Sequence, residues 1–317
     1  MSLSTELCSL LKIDFPILQG GMAWVATGEL AAAVSAAGGL GIIGAGNAPA
    51  DVIKEEIDKV KKETDKPFGV NIMLLSPFAY DIVQLVVEEE VPVVTTGAGN
   101  PGKYIDILKK GNIKVIPVVP SVALARRMQR MEVDALIAEG NEAGGHIGNL
   151  STMALIPQIV DAVELPVIAA GGIADGRGLM AALSLGASGV QMGTRFVCAQ
   201  ECTAHKNFKK AIIKARDRDA VVTGRSTGHP VRNLKNRLTR KIDKLEKNGT
   251  SPERIEELGT GKLEQAVREG DTDYGSVMAG QIAAMVDNIE PVQKIINNII
   301  TEAKNAHKNN GRLLGVE

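Results

Sequence analysis

Short apolar runs recur along the first two hundred residues at intervals of about 20 to 25 residues. Each run has four or five residues, is rich in β-branched side chains, and is nearly continuous rather than alternating. This pattern is typical of strands that are buried on both faces of a parallel sheet. The predicted strands are 16–19, 40–43, 68–72, 92–95, 114–118, 135–138, 166–169 and 189–192.

Amphipathic segments lie between these runs. Residues 51–62 place Val52, Ile53, Ile57 and Val60 on one face, with an aspartate at the start and lysines at the end, as expected of a helix. Similar patterns predict helices over 77–88, 103–109, 121–131, 153–163 and 177–185. Eight strands that alternate with helices indicate a (β/α)8 TIM barrel. A doubly wound open sheet is the alternative, but glycines and polar residues follow most of the strands, which favours a barrel.

The charges are distributed unevenly along the chain. The 317 residues carry 36 basic and 37 acidic side chains, yet residues 206–247 hold 14 basic and four acidic ones. This basic segment also has helical patterns over 207–215 and 231–247. We therefore predict an α/β protein with an inserted, mostly helical cap. The barrel with a C-terminal helical return comprises 1–202 plus 271–317, and the basic cap comprises 203–270.

Composition excludes several classes of protein. A hydrophobic fraction of 44% and a charged fraction of 23% do not fit a disordered chain. Three cysteines are too few for a disulfide framework, and Cys198, Cys202 and His205 lack the fourth ligand of a zinc site, so no metal site is predicted. No apolar stretch reaches 18 residues, and acidic residues interrupt the N-terminal segment. We expect a cytoplasmic protein with reduced cysteines.

Two glycine motifs follow the seventh and eighth predicted strands. The first includes Gly171 and Gly172, and the second is Gly193-Thr194. Loops after these two strands commonly form the phosphate site of such barrels, because bare backbone N–H groups can approach an anion. Turn formation alone would also explain the glycines, but their occurrence at both strands favours a phosphate site.

Other candidate residues follow the remaining strands. His146 lies among glycines after the sixth strand, where an imidazole can face a pocket and exchange protons near neutral pH. Asn71 ends the third apolar run, and the only tryptophan, Trp24, follows the first. His229 belongs to the cap and is a candidate lid contact. The G-x-G-x-x-G match at 39–44 runs through a strand, which excludes a Rossmann site.

Together these motifs resemble the nitronate monooxygenase (2-nitropropane dioxygenase) superfamily of flavin barrels, and within it the flavin-dependent enoyl-[acyl carrier protein] reductase II family. The resemblance runs through 19–24, 69–78, 95–101, 116–125, 139–148, 169–176, 193–196 and 275–281. It covers nearly the whole chain. The segments GGMAW, NIMLLSPF and TTGAGNP are more discriminating than the superfamily-wide motifs EAGGH and AAGGI.

The resemblance implies tightly bound FMN and assigns residues to it. Those of the first loop would pass behind the isoalloxazine, Asn71 would bond its polar edge, and Glu139 would lie near the ribityl chain. The glycines after the last two strands would hold the phosphate, and two C-terminal residues would close the pocket. The full set is Gly21, Met22, Ala23, Asn71, Glu139, Ala143, Gly144, Gly171, Gly172, Gly193, Thr194, Met278 and Gln281.

The resemblance also implies a reaction and partners. NADH or NADPH would give hydride to the flavin, which would pass it to the β-carbon of a trans-2-enoyl thioester of bacterial fatty-acid synthesis. His146 would be the catalytic residue that polarises the carbonyl or assists protonation. A monovalent cation and a homodimer belong to the same expectation.

The thioester would be carried by acyl carrier protein, which is acidic. We predict that Arg232, Lys235, Arg237 or Arg240 of the basic cap contributes to its recognition; no nucleic-acid or membrane partner is expected. The alternatives are a nitronate monooxygenase that uses FMN and O2, a flavoprotein without enzymatic activity, and a phosphosugar-metabolising barrel without flavin.

Overall fold

Eight parallel strands form a barrel in the computed structural model, which describes residues 3–315. The strands are β1 (Ile17–Gln19), β2 (Gly41–Gly44), β3 (Phe68–Met73), β4 (Val93–Gly97), β5 (Lys114–Val119), β6 (Leu136–Glu139), the two-residue β7 (Gly145–His146), which lies outside the barrel, β8 (Val167–Ala170) and β9 (Gly189–Met192). Their order is β1-β9-β8-β6-β5-β4-β3-β2, and a parallel bridge between Leu18 and Leu40 joins the two ends. The predicted barrel is confirmed, and the open sheet is excluded.

The seam between β1 and β2 depends on a buried side chain. The Gln19 side chain donates from Nε2 to the Ile42 carbonyl at 3.2 Å and accepts from the Ile42 N–H at 3.2 Å. The Gln19 backbone N–H donates to the Leu40 carbonyl at 3.0 Å. A primary amide presents the same donor and acceptor as a peptide group, so Gln19 continues the strand pairing beyond the bridge at Leu18.

Helices cover the outside of the barrel, and four further helices, α10 to α13, belong to the cap. They are α1 (Glu6–Leu11), α2 (Gly28–Ala36), α3 (Ala50–Glu63), α4 (Ala79–Glu88), α5 (Gly102–Lys110), α6 (Val122–Arg130), α7 (Thr152–Val160), α8 (Gly176–Ser184), the short α9 (Thr194–Val197), α10 (Lys206–Ile213), α11 (Arg237–Lys247), α12 (Pro252–Gly259), α13 (Lys262–Glu264) and α14 (Val292–Leu314). The six helices predicted over 51–185 are confirmed as α3 to α8, with ends that shift by up to three residues.

The core has an inner and an outer layer, as the alternation of side chains in strands requires. Inside the barrel, Leu18, Ile42, Ile116 and Ile168 pack together with Leu7 of α1, which closes the end of the barrel opposite the site. Outward-facing strand residues pack against the surrounding helices in a second, larger cluster. The filled interior leaves only the C-terminal ends of the strands open for ligands.

The cap contains a hairpin as well as helices. Strands β10 (Ala220–Thr223) and β11 (Val231–Leu234) pair antiparallel, and β11 also pairs with β7. The prediction of one helix over 231–247 is therefore wrong in its first part, because α11 begins only at Arg237. In this sheet Val231 is partly buried and residues 232–234 are buried.

Cap residues contribute to two apolar clusters. Phe208, Ile212 and Val267 belong to the same cluster as the barrel, whereas Leu238, Ile242 and Ile255 form a separate one. The division of the chain at residues 203 and 270 stays a prediction.

The C-terminal helix α14 packs against α8. A methyl group on Gly176, the first residue of α8, would collide with the backbone of α14 at Ile299 and Ala303. The Gly176 N–H donates to the Glu302 carboxylate at 3.0 Å. Glycine at this position therefore permits the close approach that holds the C-terminal return on the barrel. Across residues 3–315, no helix is both long and apolar enough to cross a membrane.

Candidate functional site

Polar side chains line the inner wall of the barrel mouth. Asn71, Thr95, Glu139 and Gln191 each lie two residues beyond an inward-facing position of their strands, so their side chains point into the barrel at its C-terminal end. The Asn71 amide donates to the Thr95 hydroxyl at 2.9 Å, which fixes the orientation of both groups. Gln191 was not among the predicted site residues, although it too is a polar amide near the end of an apolar run, as Asn71 is.

The loop after β1 crosses this mouth. A methyl group on Gly21 would collide with the Asn71 side chain, and one on Gly193 would lie 3.2 Å from the Met22 sulfur. The structure therefore brings Gly21, Met22, Asn71 and Gly193 together, although they come from three separate parts of the chain. Only a glycine at position 21 allows the loop to lie directly on Asn71.

The same loop continues into a cavity of about 320 Å³ between the barrel and the cap. Ala23 and Trp24 line it together with residues after β2 and from α3. Trp24 has a φ of +64°, an uncommon conformation for an aromatic residue. The Arg268 guanidinium of the cap lies 4.3 Å from the centre of the Trp24 ring. Trp24 is thus a contact between the barrel mouth and the cap.

The loops after β8 and β9 carry the glycines from which a phosphate site was predicted. Gly171 and Gly172 have φ values of +89° and +73°, which other residues rarely adopt. Among the hydrogen bonds within the described part of the chain, none is donated by the backbone N–H of Gly172, Gly193 or Thr194. The Thr194 hydroxyl accepts from the Gly280 N–H at 2.9 Å, which leaves its own proton to donate. These donors suit the oxygens of the FMN phosphate.

The segment 278–281 closes against the loop after β6. A methyl group on Gly144 would lie 2.6 Å from the Ala279 carbonyl carbon, and one on Gly145 would lie 3.5 Å from the Met278 sulfur. The Gln281 N–H donates to the Glu142 carbonyl at 2.9 Å. The predicted residues Gly144, Met278 and Gln281 are therefore neighbours. The exposed Gln281 side chain, in contrast, makes no hydrogen bond to a described residue.

Glu142 connects the loop after β6 with the start of α7, which contacts the loop after β8. This role was not predicted from the sequence. The Glu142 carboxylate accepts from both the backbone N–H and the hydroxyl of Thr152 at 2.9 Å. The Thr152 hydroxyl also lies 2.9 Å from the Gly171 carbonyl oxygen. A methyl group on Gly171 would lie 3.2 Å from the Ala143 nitrogen. Ala143 and Gly171 thus meet at the predicted flavin site, and Glu142 supports both loops.

Glu139 has an unusual environment at the end of β6. Burial raises the pKa of its carboxyl from an ordinary value of 4.5 to about 7, because the charged form loses hydration in the barrel mouth. Near neutral pH a substantial fraction of Glu139 is therefore protonated and can donate a hydrogen bond. Such a group can bond a ligand hydroxyl without introducing a full negative charge.

His146 lies in β7, on the sheet that joins the barrel loops to the cap. It pairs with Val231 of β11, and the next N–H, of Ile147, donates to the Pro230 carbonyl at 3.1 Å. His146 is an exposed residue of this strand. Partial burial and, second, the nearby His229 lower the pKa of His146. At neutral pH the ring is mainly uncharged, with one nitrogen to donate and one to accept.

His229 is therefore close to the predicted catalytic residue. From the sequence it was expected only as a candidate lid contact. No motif places it near His146; the pairing of β11 with β7 does so.

The cysteines lie away from this chemistry. Cys8, Cys198 and Cys202 are buried and free. Burial raises the pKa of the Cys198 thiol to about 12, so it stays protonated. Within residues 3–315, no three His, Cys, Asp or Glu side chains are grouped as metal ligands would be.

The prediction that Arg232, Lys235, Arg237 or Arg240 contributes to carrier recognition stays a prediction, but the four residues differ in exposure. Arg232 is only 6% exposed. Its guanidinium donates to the Asn141 carbonyl at 2.8 Å and to the Ala220 carbonyl at 3.4 Å. Arg232 thus connects the hairpin to the loop after β6. The other three residues, Lys235, Arg237 and Arg240, are exposed.

Similarity to known proteins extends over nearly the entire chain. A family model described as nitronate monooxygenase matches residues 4–302. The chain is 34% identical to a probable nitronate monooxygenase of Staphylococcus saprophyticus, with 96% of the chain and 98% of the relative covered. It is also 34% identical to (3aS,4S,5R,7aS)-5-hydroxy-7a-methyl-1-oxo-octahydro-1H-indene-4-carboxyl-CoA dehydrogenase of Mycobacterium tuberculosis, covering 96% and 97%.

Solved structures show a similar range. FabK from Thermotoga maritima superposes with a TM-score of 0.94 at 52% identity, covering 96% of this chain and 97% of that one. A nitroalkane oxidase from Streptomyces ansochromogenes superposes with a TM-score of 0.84 at 28% identity, covering 96% and 99%.

Proposed function

Because the chain belongs to the nitronate monooxygenase family of flavin-dependent oxidoreductases, we propose that it is an FMN-dependent enoyl-[acyl carrier protein] reductase of bacterial fatty-acid synthesis. The observation that carries this proposal is the 52% identity to FabK, an enoyl-[acyl carrier protein] reductase II, over 96% of the chain. Identity to the nitronate monooxygenase of S. saprophyticus is 34%, and identity to the nitroalkane oxidase is 28%.

The residues at the barrel mouth fit FMN. The free backbone N–H groups of Gly172, Gly193 and Thr194 would hold its phosphate. Gly21 and Met22 would lie along its ring system, and Asn71 would bond the polar edge of the ring. Bound FMN supplies two-electron chemistry, taking hydride from NADH or NADPH and delivering it to the β-carbon of the enoyl thioester.

Glu139 contributes a neutral donor at this site. With its pKa raised to about 7, the carboxyl can bond a ribityl hydroxyl and still leave the mouth close to uncharged.

His146 is the residue we assign to the substrate. Its exposed, mainly neutral imidazole can donate a hydrogen bond to the thioester carbonyl oxygen, where negative charge develops as hydride reaches the β-carbon. The α-carbon must then receive a proton. The protonated form of His146 can deliver it and then returns to the neutral imidazole.

Further features belong to the same proposal. NADH is the expected reductant, with NADPH as the alternative, and a monovalent cation would activate the enzyme. The substrate would arrive on acyl carrier protein, and the enzyme would act as a cytoplasmic homodimer.

The proposed activity is tested by following NADH oxidation under anaerobic conditions. The purified protein should be yellow and should oxidise NADH rapidly only when a crotonyl thioester is added. A colourless protein that cannot be reconstituted with FMN, or NADH oxidation that does not respond to the thioester, would contradict the proposal.

The second candidate function is nitronate monooxygenase, which the 34% identical staphylococcal relatives favour. It uses the same flavin and histidine, with O2 and a nitronate as substrates. Turnover of a nitronate with O2, without turnover of an enoyl thioester, would support this alternative.

A further inference from the structure

A basic groove lies on the cap beside the wall of the site. Its cavity volume is about 650 Å³, and it is bounded by α10, the ends of the β10–β11 hairpin, the start of α11 and the segment 272–273. Five cationic side chains line it, against two carboxylates. The cations are Lys214, Arg218, Lys235, Arg237 and Arg240, and the carboxylates are Asp219 and Asp273.

Most of these cations have no partner within the described chain. Arg237 lies near Asp273, at 3.8 Å, and over the Tyr274 ring. The exposed side chains of Lys214, Arg218, Lys235 and Arg240 form no ion pair or hydrogen bond with any of residues 3–315. Surface lysines and arginines elsewhere in the chain often pair with carboxylates, as Lys54 and Lys61 do with Glu89. The groove thus carries an uncompensated positive charge.

The floor of the groove is apolar and its frame is fixed. Ala211, Ala215, Leu234 and Val277 lie between the cationic side chains. Asn236 caps α11 by accepting from the Thr239 N–H at 2.9 Å, and its amide nitrogen donates to the carbonyls of Thr272 and Gly275 at 2.9 and 2.8 Å. An apolar floor with a cationic rim is complementary to an acidic amphipathic helix.

The groove and the site share a wall. Strand β11 pairs with His146 through Val231, and three residues later Leu234 lines the groove, about 10 Å further along the strand. Val277 lines the groove, while Met278, next to it, lies against Gly145. A partner in the groove would therefore be close enough for a flexible pantetheine arm to reach the mouth.

We propose that this groove is the docking site for acyl carrier protein. Its five cationic side chains would form ion pairs with the acidic face of the carrier. Two of them follow α10 and three lie at or just before the start of α11; they are Lys214, Arg218, Lys235, Arg237 and Arg240. The inference rests on the proposed function, since it assumes a carrier-bound substrate. Long-range attraction between the groove and the acidic carrier would speed their encounter and weaken as salt is added.

The test compares two double charge reversals. Lys214→Glu/Arg218→Glu alters the groove, whereas Lys241→Glu/Lys244→Glu makes the same change in charge at exposed positions of α11 that do not line it. Each variant is assayed with crotonyl thioesters of acyl carrier protein, coenzyme A and N-acetylcysteamine. Near-UV circular dichroism and the flavin spectrum check that each variant is folded.

The groove variant should raise KM for the carrier thioester about tenfold or more, with changes below about twofold for the N-acetylcysteamine thioester and for the control variant. An unchanged KM for the carrier thioester would overturn the docking proposal. Equal increases for the carrier and coenzyme A thioesters would also overturn it, since the groove would then bind a phosphate of the arm rather than the protein.

The two proposals fail separately. If the unmodified enzyme does not reduce the N-acetylcysteamine thioester, the reductase proposal fails whatever the groove does. Docking is then judged by the fluorescence anisotropy of labelled holo-carrier at low salt. The docking proposal is supported if the carrier binds to the unmodified enzyme and to the control variant but not to the groove variant. It is refuted if the carrier does not bind to the unmodified enzyme, or binds equally well to the unmodified enzyme and to the groove variant.

Discussion

His146 is a residue whose position follows from local composition and whose electrostatics follow from the fold. Its glycine-rich surroundings after the sixth strand predict an imidazole that faces a pocket, and the structure shows it exposed in β7, paired with β11 of the cap. The lowered pKa could not be predicted, because His229 lies 83 positions later and reaches it only through the pairing of β11 with β7. The sequence thus identifies the residue, whereas its charge state depends on tertiary contacts.

Replacing His146 by alanine should lower kcat for crotonyl thioester reduction by about 100-fold or more, because the carbonyl loses its hydrogen-bond donor and the α-carbon its proton source. The flavin content should not change, since the imidazole makes no hydrogen bond or ion pair with any of residues 3–315. His307→Ala, at an exposed position of α14, serves as the control. Steady-state kinetics and the visible spectrum measure both effects, and unaltered turnover would remove the catalytic assignment.

Glu139→Gln should change the pH dependence of stability. With a raised pKa of about 7, Glu139 keeps its proton in the folded state between pH 4.5 and 7, whereas the unfolded chain releases it. Its contribution to stability therefore falls as the pH rises through this window. The melting temperature of Glu139→Gln relative to the parent should be higher at pH 8 than at pH 5 by about 2 °C or more.

The control for this comparison is Glu63→Gln, which makes the same charge change at an exposed position. Differential scanning calorimetry of the FMN-bound proteins gives the two melting temperatures. A difference between Glu139→Gln and the parent that stays constant from pH 5 to pH 8 would show that the Glu139 carboxyl has an ordinary pKa.

At the scale of elements, periodicity predicted the barrel strands well because each is a continuous apolar run with both faces buried. The helix predicted over 231–247 failed at its start for a physical reason. The segment 231–234 is short and of mixed polarity. It forms a strand because β10 and β7 supply hydrogen-bonding partners on both of its sides. The site residue Glu142 was missed for a related reason, since its role depends on contacts between separate loops.

The seam between β1 and β2 gives a prediction for one element. Gln19→Leu removes the amide that pairs with Ile42 and leaves a buried N–H and carbonyl without partners. Because each unsatisfied group costs about 1 to 3 kcal/mol, the free energy of unfolding should fall by about 2 kcal/mol or more. Urea unfolding measures this change. Gln158→Leu, at an exposed position of α7, should change it by less than about 0.5 kcal/mol.

If Gln19→Leu changes the free energy of unfolding as little as Gln158→Leu does, β1 and β2 remain joined without the Gln19 side chain. In that case the backbone bonds at Leu18 and Leu40 would suffice to close the barrel.

For the whole molecule, the near-zero net charge is the sum of a basic segment and an acidic remainder, which the overall composition does not show. The basic residues of 206–247 include those around the cap groove, whereas the rest of the chain is acidic in excess. The sequence predicted this division, but it did not separate the buried Arg232 from the exposed Lys235, because only the fold shows that Arg232 lies within β11 and that Lys235 follows it.

The C-terminal return depends on the close approach of α8 and α14. Gly176→Ala would place a methyl group against the α14 backbone, so the free energy of unfolding should fall by about 1 to 3 kcal/mol as the helix is displaced. Gly259→Ala, with open space around its added methyl group, is the control. Urea unfolding and limited proteolysis measure the effect, and an unchanged stability would mean that α14 can shift without cost.

The proposed reduction of enoyl thioesters can be observed in a single turnover. The FMN-bound enzyme is reduced with one equivalent of NADH in the absence of oxygen and mixed with crotonyl-acyl carrier protein in a stopped-flow spectrometer. We expect the spectrum of oxidised flavin to return with butyryl-acyl carrier protein as the product, in an amount equal to the enzyme. Flavin that stays reduced in the presence of the thioester, yet is reoxidised by O2 with consumption of a nitronate, would contradict the account.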